Sequence, residues 1–329
     1  MPLIHNSSYT PPRVFRSAHL QTIYPSLFRN TPLITGRRER ITTPDGDFLD
    51  LDWHCTPSNK RLAILSHGLE GHSQRAYIQG MARALKSAGW NVLAWNFRGC
   101  SGEPNQVLDF YHSGSISDLQ TVIAHAAADP THQEIALIGF SLGGNITLKL
   151  LGDYAAQLDP KISAAVTFSV TCDLSGSAVE LAKWQNGLYM RRFLKTLRDK
   201  IEEKAQRFPG KLALNKLDTV QNFQQFDEYF TAPVHGYKNA ADYWAQCSSL
   251  ISLPNIRIPT LLVNALDDPF LGPKCYPRAL AAEHPYFHLE TPTHGGHMGF
   301  VQFNHEKQYW SEMRALEFLS THTRIAQNP

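Results

Sequence analysis

The chain has 329 residues, 43% hydrophobic and 18% charged, with 31 basic against 29 acidic side chains and a net charge of +2. That length buries one large core or two smaller ones, and so balanced a charge argues against nucleic acid or an acidic membrane as the main partner. Five scattered cysteines without a Cys-x-x-Cys pair, no basic-then-apolar leader and no apolar run near the roughly 18 residues of a membrane helix indicate a reduced, cytoplasmic protein without stable membrane insertion.

Residues 1–37 read as an N-terminal extension packing on the core. An opening hairpin follows over 38–55: the "TPDGD" turn leads into "FLDLDW", where Leu49, Leu51 and Trp53 alternate with Asp50 and Asp52 as in a half-buried strand. Five short apolar runs come next, "RLAILSHG", "NVLAWNFRG", "EIALIGFS", "ISAAVTFSV" and "IPTLLVNALDD", each ending at a glycine, a serine or an acid. Helical stretches over Tyr77–Ala88, Ile116–Ala128 and Leu142–Ala156 separate the earlier runs. Strands alternating with helices of this length predict an α/β fold with a mostly parallel sheet, whose active groups gather at the carboxyl ends of the strands.

The rhythm breaks after Val170, and no comparable strand appears until Ile258. Met190, Phe193, Leu194, Leu197 and Ile201 fall on one face of an amphipathic helix, with Arg191, Arg192, Lys195 and Arg198 on the other. "FQQFDEYF" and "YWAQC" are also helix-compatible. Residues 171–252 are therefore read as an inserted helical cap, with 38–170 and 253–329 forming the core; the basic face is read as solvated.

"GFSLGGN" (139–145) follows a predicted strand and opens a predicted helix, the setting of a sharp turn that presents a nucleophile. Gly139 and Gly143 relieve the crowding of such a turn around Ser141. A serine hydroxyl needs a base and the base an orienting carboxylate, in the chain order serine, acid, histidine. "TLLVNALDDPF" supplies Asp267 and Asp268 after the apolar run; Asp267 is preferred as the first polar group past the strand, with Asp268 the alternative. "TPTHGGHMGF" offers His294 and His297 in a glycine loop, and His297 is preferred. Donors for a developing oxyanion are the N–H of Leu142, after the serine, and of Leu69, in the loop "SHGLEGHS" after an early strand. His67 in that loop is read as structural.

These motifs, in this order, resemble those of the α/β-hydrolase superfamily, and specifically its YheT-like branch, the AB hydrolase 4 family. The resemblance runs from about Arg16 to about Ser320 and includes "SAHLQTIYPSLFR", "ERITTPDGDFLDLDW", "HGLEGHS", "WNFRGCSGEPN", "YHSGSISDL", "GFSLGGN", "NALDDPF" and "HGGHMGF". It implies an eight-stranded hydrolase sheet with a helical cap and a triad at Ser141, Asp267 and His297. It further implies an esterase-like enzyme. The residues are read as those of a serine hydrolase with no metal or organic cofactor, acting on a small-molecule carboxylic ester, with the aromatic and aliphatic cap residues forming a pocket for short to medium acyl chains. A thioesterase, a lysophospholipase or monoacylglycerol hydrolase, and a non-catalytic binding protein are the alternatives. "HLQTI" and "FRGCSG" are also family hallmarks; His19 and Arg98 in them are read as bracing loops rather than as catalytic.

Overall fold

The computed structural model describes residues 3–324. Residues 1, 2 and 325–329, the outer ends of the expected N-terminal extension and core segment, lie outside the described residues.

Nine strands form one sheet: β1 (Leu3–Ile4), β2 (Arg37–Thr42), β3 (Phe48–His54), β4 (Arg61–Ser66), β5 (Asn91–Trp95), β6 (Glu134–Phe140), β7 (Ile162–Phe168), β8 (Thr260–Val263) and β9 (Phe287–Glu290). Their order is β1-β9-β8-β7-β6-β4-β5-β3-β2. The hairpin β2–β3 and the β3–β5 pair are antiparallel, and every other pairing is parallel. The count exceeds the expected eight because the two-residue β1 pairs with β9 and covers that edge of the sheet.

The apolar runs become strands because the sheet is covered on both faces. In β4, Leu62 and Ile64 join one hydrophobic cluster while Ala63 and Leu65 join the other. The first cluster contains Leu119, Val122, Ile146 and Leu150, from helices α3 (Ile116–Ala128) and α4 (Leu142–Asp153). The second contains Ile78 and Met81, from α2 (Ala76–Ser87), and Phe318 from the helix Trp310–His322. Period-2 alternation thus sorts each central strand between two helical layers. Strand β3 departs from the half-buried expectation: Asp50 is buried too, because Arg40 binds both its carboxylate oxygens at 2.8 Å.

Between β7 and β8 the described chain forms helices and turns without a strand, including α5 (Leu174–Leu181), α6 (Gly187–Arg207) and a helix at Ala240–Cys247. Met190, Leu194, Leu197 and Ile201 of α6 build a separate apolar cluster with Phe226, Phe230 and Phe270. Buried Asn145 of α4 ties the far end of this segment to the core: its amide donates to the carbonyls of Ser113 and Cys247 at 2.9 and 2.8 Å, and its oxygen accepts from the Ser249 N–H at 2.9 Å. At the N-terminal side, α1 (Ala18–Phe28) packs beside the core through buried Gln21.

Arg98, at the carboxyl side of β5, ties the segment after that strand to the β2–β3 turn and to helix α3. Its guanidinium grips Asp118 in two bonds, at 2.9 and 2.7 Å, and reaches Asp45 at 2.5 Å and Asp47 at 3.3 Å. The Asp47 and Asp118 side chains are 0% and 4% exposed, so removing the cation leaves buried carboxylates uncompensated. Arg98→Met is expected to cost about 3–5 kcal/mol in a urea titration. Arg98→Lys should recover only part of that loss, because an ammonium cannot make the two-pronged contact.

Candidate active site

The strand order reverses between β4 and β6, which places a crevice at their adjoining carboxyl ends. Ser141 sits there, between the end of β6 and the start of α4. Its backbone lies at φ 52°, ψ −118°, a left-handed conformation costly to a residue with a Cβ, and its side chain is held in the crevice. The two glycines fit the turn because a Cβ on Gly139 would stand 2.6 Å from Gly144 Cα, and one on Gly143 2.4 Å from the carbonyl oxygens of Ser66 and His67. Helix α4 therefore crosses the strand ends at a distance only glycine permits.

His297 Nε2 lies 3.0 Å from Ser141 Oγ. His297 Nδ1 lies 2.9 and 3.1 Å from the two carboxylate oxygens of Asp268. The structure thus brings Asp268, not the preferred Asp267, to His297. The reason is a turn closed by the Asp268 N–H on the Ala265 carbonyl at 3.1 Å, which points Asp268 inward to a fully buried side-chain position. Asp267 faces the other way, accepting from the Gly296 N–H at 2.9 Å and lying 3.2 Å from His294 Nδ1; burial raises its pKa. The doublet thus serves both histidines of the loop, each acid taking one.

The N–H groups of Leu69 and Leu142 have no backbone acceptor outside regular elements among the described residues, and both residues line the cavity that contains Ser141 and His297. Leu142 is also the first residue of α4, where the helix dipole favours negative charge. The Leu69 loop is braced on both sides. Tyr77 Oη accepts from the Gly68 N–H at 2.9 Å. Buried His67 accepts from the Phe97 N–H on Nε2 at 3.1 Å, so its Nδ1 carries the proton and donates to the Gly68 carbonyl at 2.8 Å. Beyond Leu69, the Glu70 side chain meets Tyr111 Oη at 2.5 Å and Lys200 Nζ of α6 at 2.9 Å.

The histidine loop is held by the N-terminal segment, a role that sequence reasoning missed. Thr22 Oγ1 accepts from the His297 N–H at 2.9 Å. Gln21 accepts from the Val301 N–H at 2.9 Å and donates to Tyr9 Oη at 2.7 Å and to the Phe15 carbonyl at 2.8 Å. The signal was the motif "HLQTI", whose Gln21 and Thr22 sit between Leu20 and Ile23. His19 lies 3.0 Å from Tyr189 Oη of α6, linking the same helix to the cap.

Above Ser141 the cavity is walled by apolar side chains of the cap, among them Leu174, Leu181, Leu197, Ile201, Phe226 and Trp244. Asp227, within this wall, is pushed up to about 6 by burial and accepts from Thr231 Oγ1 and Trp244 Nε1. Among the described residues no group of three or more His, Cys, Asp and Glu side chains could hold a metal ion, and no helix is long and apolar enough to cross a membrane. A serine, an imidazole and a buried carboxylate in hydrogen-bonded series can move a proton off the hydroxyl as it attacks a carbonyl carbon.

A family model for the alpha/beta hydrolase fold matches residues 64–303, and the chain belongs to that family. Within it, the chain is 35% identical over 323 residues, 96% of its own length and 94% of the relative's, to YheT of Escherichia coli (strain K12), whose name assigns it only provisionally to the esterases. It is 28% identical to human phospholipase ABHD3 over 86% of this chain and 71% of that one, and 26% identical to a Saccharomyces cerevisiae monoacylglycerol lipase over 84% and 62%. Among solved structures, the Pyrococcus furiosus esterase Pf2001 superposes with a TM-score of 0.58 at 18% identity, over 90% of this chain and 98% of that one. The protein is a YheT-like member of the esterase and hydrolase families that share this fold.

Two outcomes follow from the loop geometry. Asp268→Asn is expected to lower kcat for ester hydrolysis about 10³- to 10⁴-fold, and Asp267→Asn less than about tenfold, in steady-state assays of the two variants. The second concerns His67, whose pKa burial pushes down to about 3 against an unfolded value near 6.5. The folded state keeps it neutral, so its contribution to stability is complete above pH ~6.5 and is lost as pH falls toward about 3. Urea midpoints measured from pH 7 down to 4 should therefore fall less steeply for His67→Phe than for the wild type, whatever the offset between them.

Proposed function

We propose that this protein is a serine hydrolase that cleaves carboxylic esters of short to medium acyl length through an acyl-enzyme. The observation that carries the reading is the continuous series Ser141–His297–Asp268 at the floor of an apolar cavity. Ser141 attacks the ester carbonyl while His297 takes its proton, and Asp268 orients the imidazole and balances its charge. The Leu69 and Leu142 N–H groups stabilise the tetrahedral oxyanion. His297 then protonates the departing alcohol, and water, activated by the same imidazole, releases the acid. The acyl chain lies against the apolar cap residues.

A second reading, hydrolysis of a monoacylglycerol or lysophospholipid with the same residues, draws support from relatives named phospholipase and monoacylglycerol lipase. The mechanism is common to both readings, and the substrate is what distinguishes them.

Hydrolysis of p-nitrophenyl esters from acetate to palmitate is expected to peak at a short or medium chain length and to fall about 10⁴-fold or more in Ser141→Ala. A fluorophosphonate probe should label the wild type and leave Ser141→Ala unlabelled. Undiminished turnover by the variant would remove Ser141 from the mechanism. Preferential turnover of monoacylglycerol over every p-nitrophenyl ester would select the second reading.

A further inference from the structure

Helix α1 is packed inside out. The side chain it buries fully is the polar Gln21, while Leu20, Leu27 and Phe28 stand 39%, 61% and 67% exposed. Leu20, Ile23 and Leu27, at i, i+3 and i+7, share one stripe of the helix. The stripe continues into an aromatic group, because the Tyr24 ring lies 5.5 Å from Phe28 and 6.4 Å from Phe303, itself 61% exposed. The result is an apolar ridge facing solvent, with Ile23 and Tyr24 half-buried at its base, and exposed apolar patches of this kind mark interaction surfaces.

The flanks of the ridge are basic, while Glu306, exposed three residues past Phe303 and next to Lys307, carries the opposite sign. The first 38 residues contain no aspartate or glutamate. Arg13 and Arg16 are exposed on the turn just before α1, whose Phe15 touches both Tyr24 and Phe303. On the other flank Arg192 of α6 reaches Ser26 at 3.4 Å, and Arg191 bonds the carbonyl of Gly187. Among the described residues none of these four guanidinium groups is ion-paired with a carboxylate, whereas Arg29, Arg37 and Arg38 are.

From this juxtaposition, we propose that the α1 ridge and its flanking arginines form a docking face for an anionic lipid surface. Aliphatic and aromatic tips enter the headgroup region while arginines beside them meet lipid phosphates, the pattern of an interfacial helix. A second copy of the chain fits less well: a two-fold contact through the ridge would press two copies of the same arginine-flanked face together, whose first 38 residues offer no carboxylate to pair with them. The face is also placed for function, since the same helix supports the His297 loop through Thr22 and meets the cap through His19. Docking is peripheral, needs no membrane-crossing helix, and rests on a local basic patch rather than on net charge, so for this face it revises the expectation that a balanced charge argues against an acidic membrane.

The test uses full-length Ser141→Ala protein, so that binding is read without turnover and stands or falls separately from the hydrolytic reading. Co-sedimentation with phosphatidylcholine vesicles is compared with the same vesicles containing phosphatidylglycerol, at low and high salt. Binding to the anionic vesicles is expected, weakened by salt, and reduced about tenfold or more by Arg13→Gln with Arg16→Gln and by Leu27→Ser with Phe28→Ser. The same paired changes should leave the far-UV circular dichroism and the cooperative urea unfolding of the Ser141→Ala protein intact, which shows that the fold survives. No binding to either vesicle would overturn the proposal, as would binding indifferent to the arginines. Concentration-dependent dimerisation lost in Leu27→Ser with Phe28→Ser would assign the ridge to a second copy instead.

Discussion

The site depends on how closely α4 crosses the ends of β4 and β6. Every other geometric feature follows from that approach: the left-handed backbone of Ser141, the Leu142 N–H at the start of the helix, and the nearness of the Leu69 loop that leaves β4. The approach requires hydrogen in place of Cβ at Gly139 and Gly143, where a methyl group would overlap backbone atoms. Ser141 retains its unfavourable φ because the flanking strand and helix determine it from both sides. In this sense the turn at Ser141 is a packing consequence of two layers brought together, with the serine as the residue caught between them.

The remaining parts reach this turn from distant segments, and each arrives on a loop that something else holds. The His297 loop hangs from Gln21 and Thr22 of α1, about 275 residues earlier in the chain. The Leu69 loop is fixed beneath by His67 and Tyr77 and joined to the cap by the Glu70–Lys200 pair. Asp268 is buried against His297, and the backbone N–H of Phe270 also donates to its carboxylate at 2.9 Å. Rigid placement matters here because the proposed proton transfer from Ser141 to His297 demands hydrogen-bond contact, and an ångström of drift removes it.

Much of the fold was legible because it is written in local periodicity. Continuous apolar runs such as "RLAILS" and "EIALIGF" are what strands covered on both faces require, and the sheet contains them as β4 and β6. Helix α3 occupies the span its apolar spacing indicates, and α4 stops at Asp153, short of Ala156, because Tyr154 leaves the helical conformation. Harder to read were β1 and β9, two and four residues long, since so few residues carry too little pattern to detect. Helix α1 was hidden for a different reason: its exposed leucines and buried glutamine invert the usual pattern.

By itself the sequence determined the types and order of the residues that meet at the candidate site: a serine between glycines, an acidic doublet after a late strand, and two histidines in a glycine loop, all tied to local spacing. It could not choose between Asp267 and Asp268, because adjacent residues share the same composition and flanks and differ only in direction. Direction was decided by the turn that closes on Ala265 and by the position of the histidine loop. The tertiary structure likewise decided what Gln21 and Thr22 are for, since their partners at Val301 and His297 become neighbours only when the chain's two ends meet. Spacing along a chain encodes which way a strand or helix faces, whereas contacts across hundreds of residues exist only once the layers have packed.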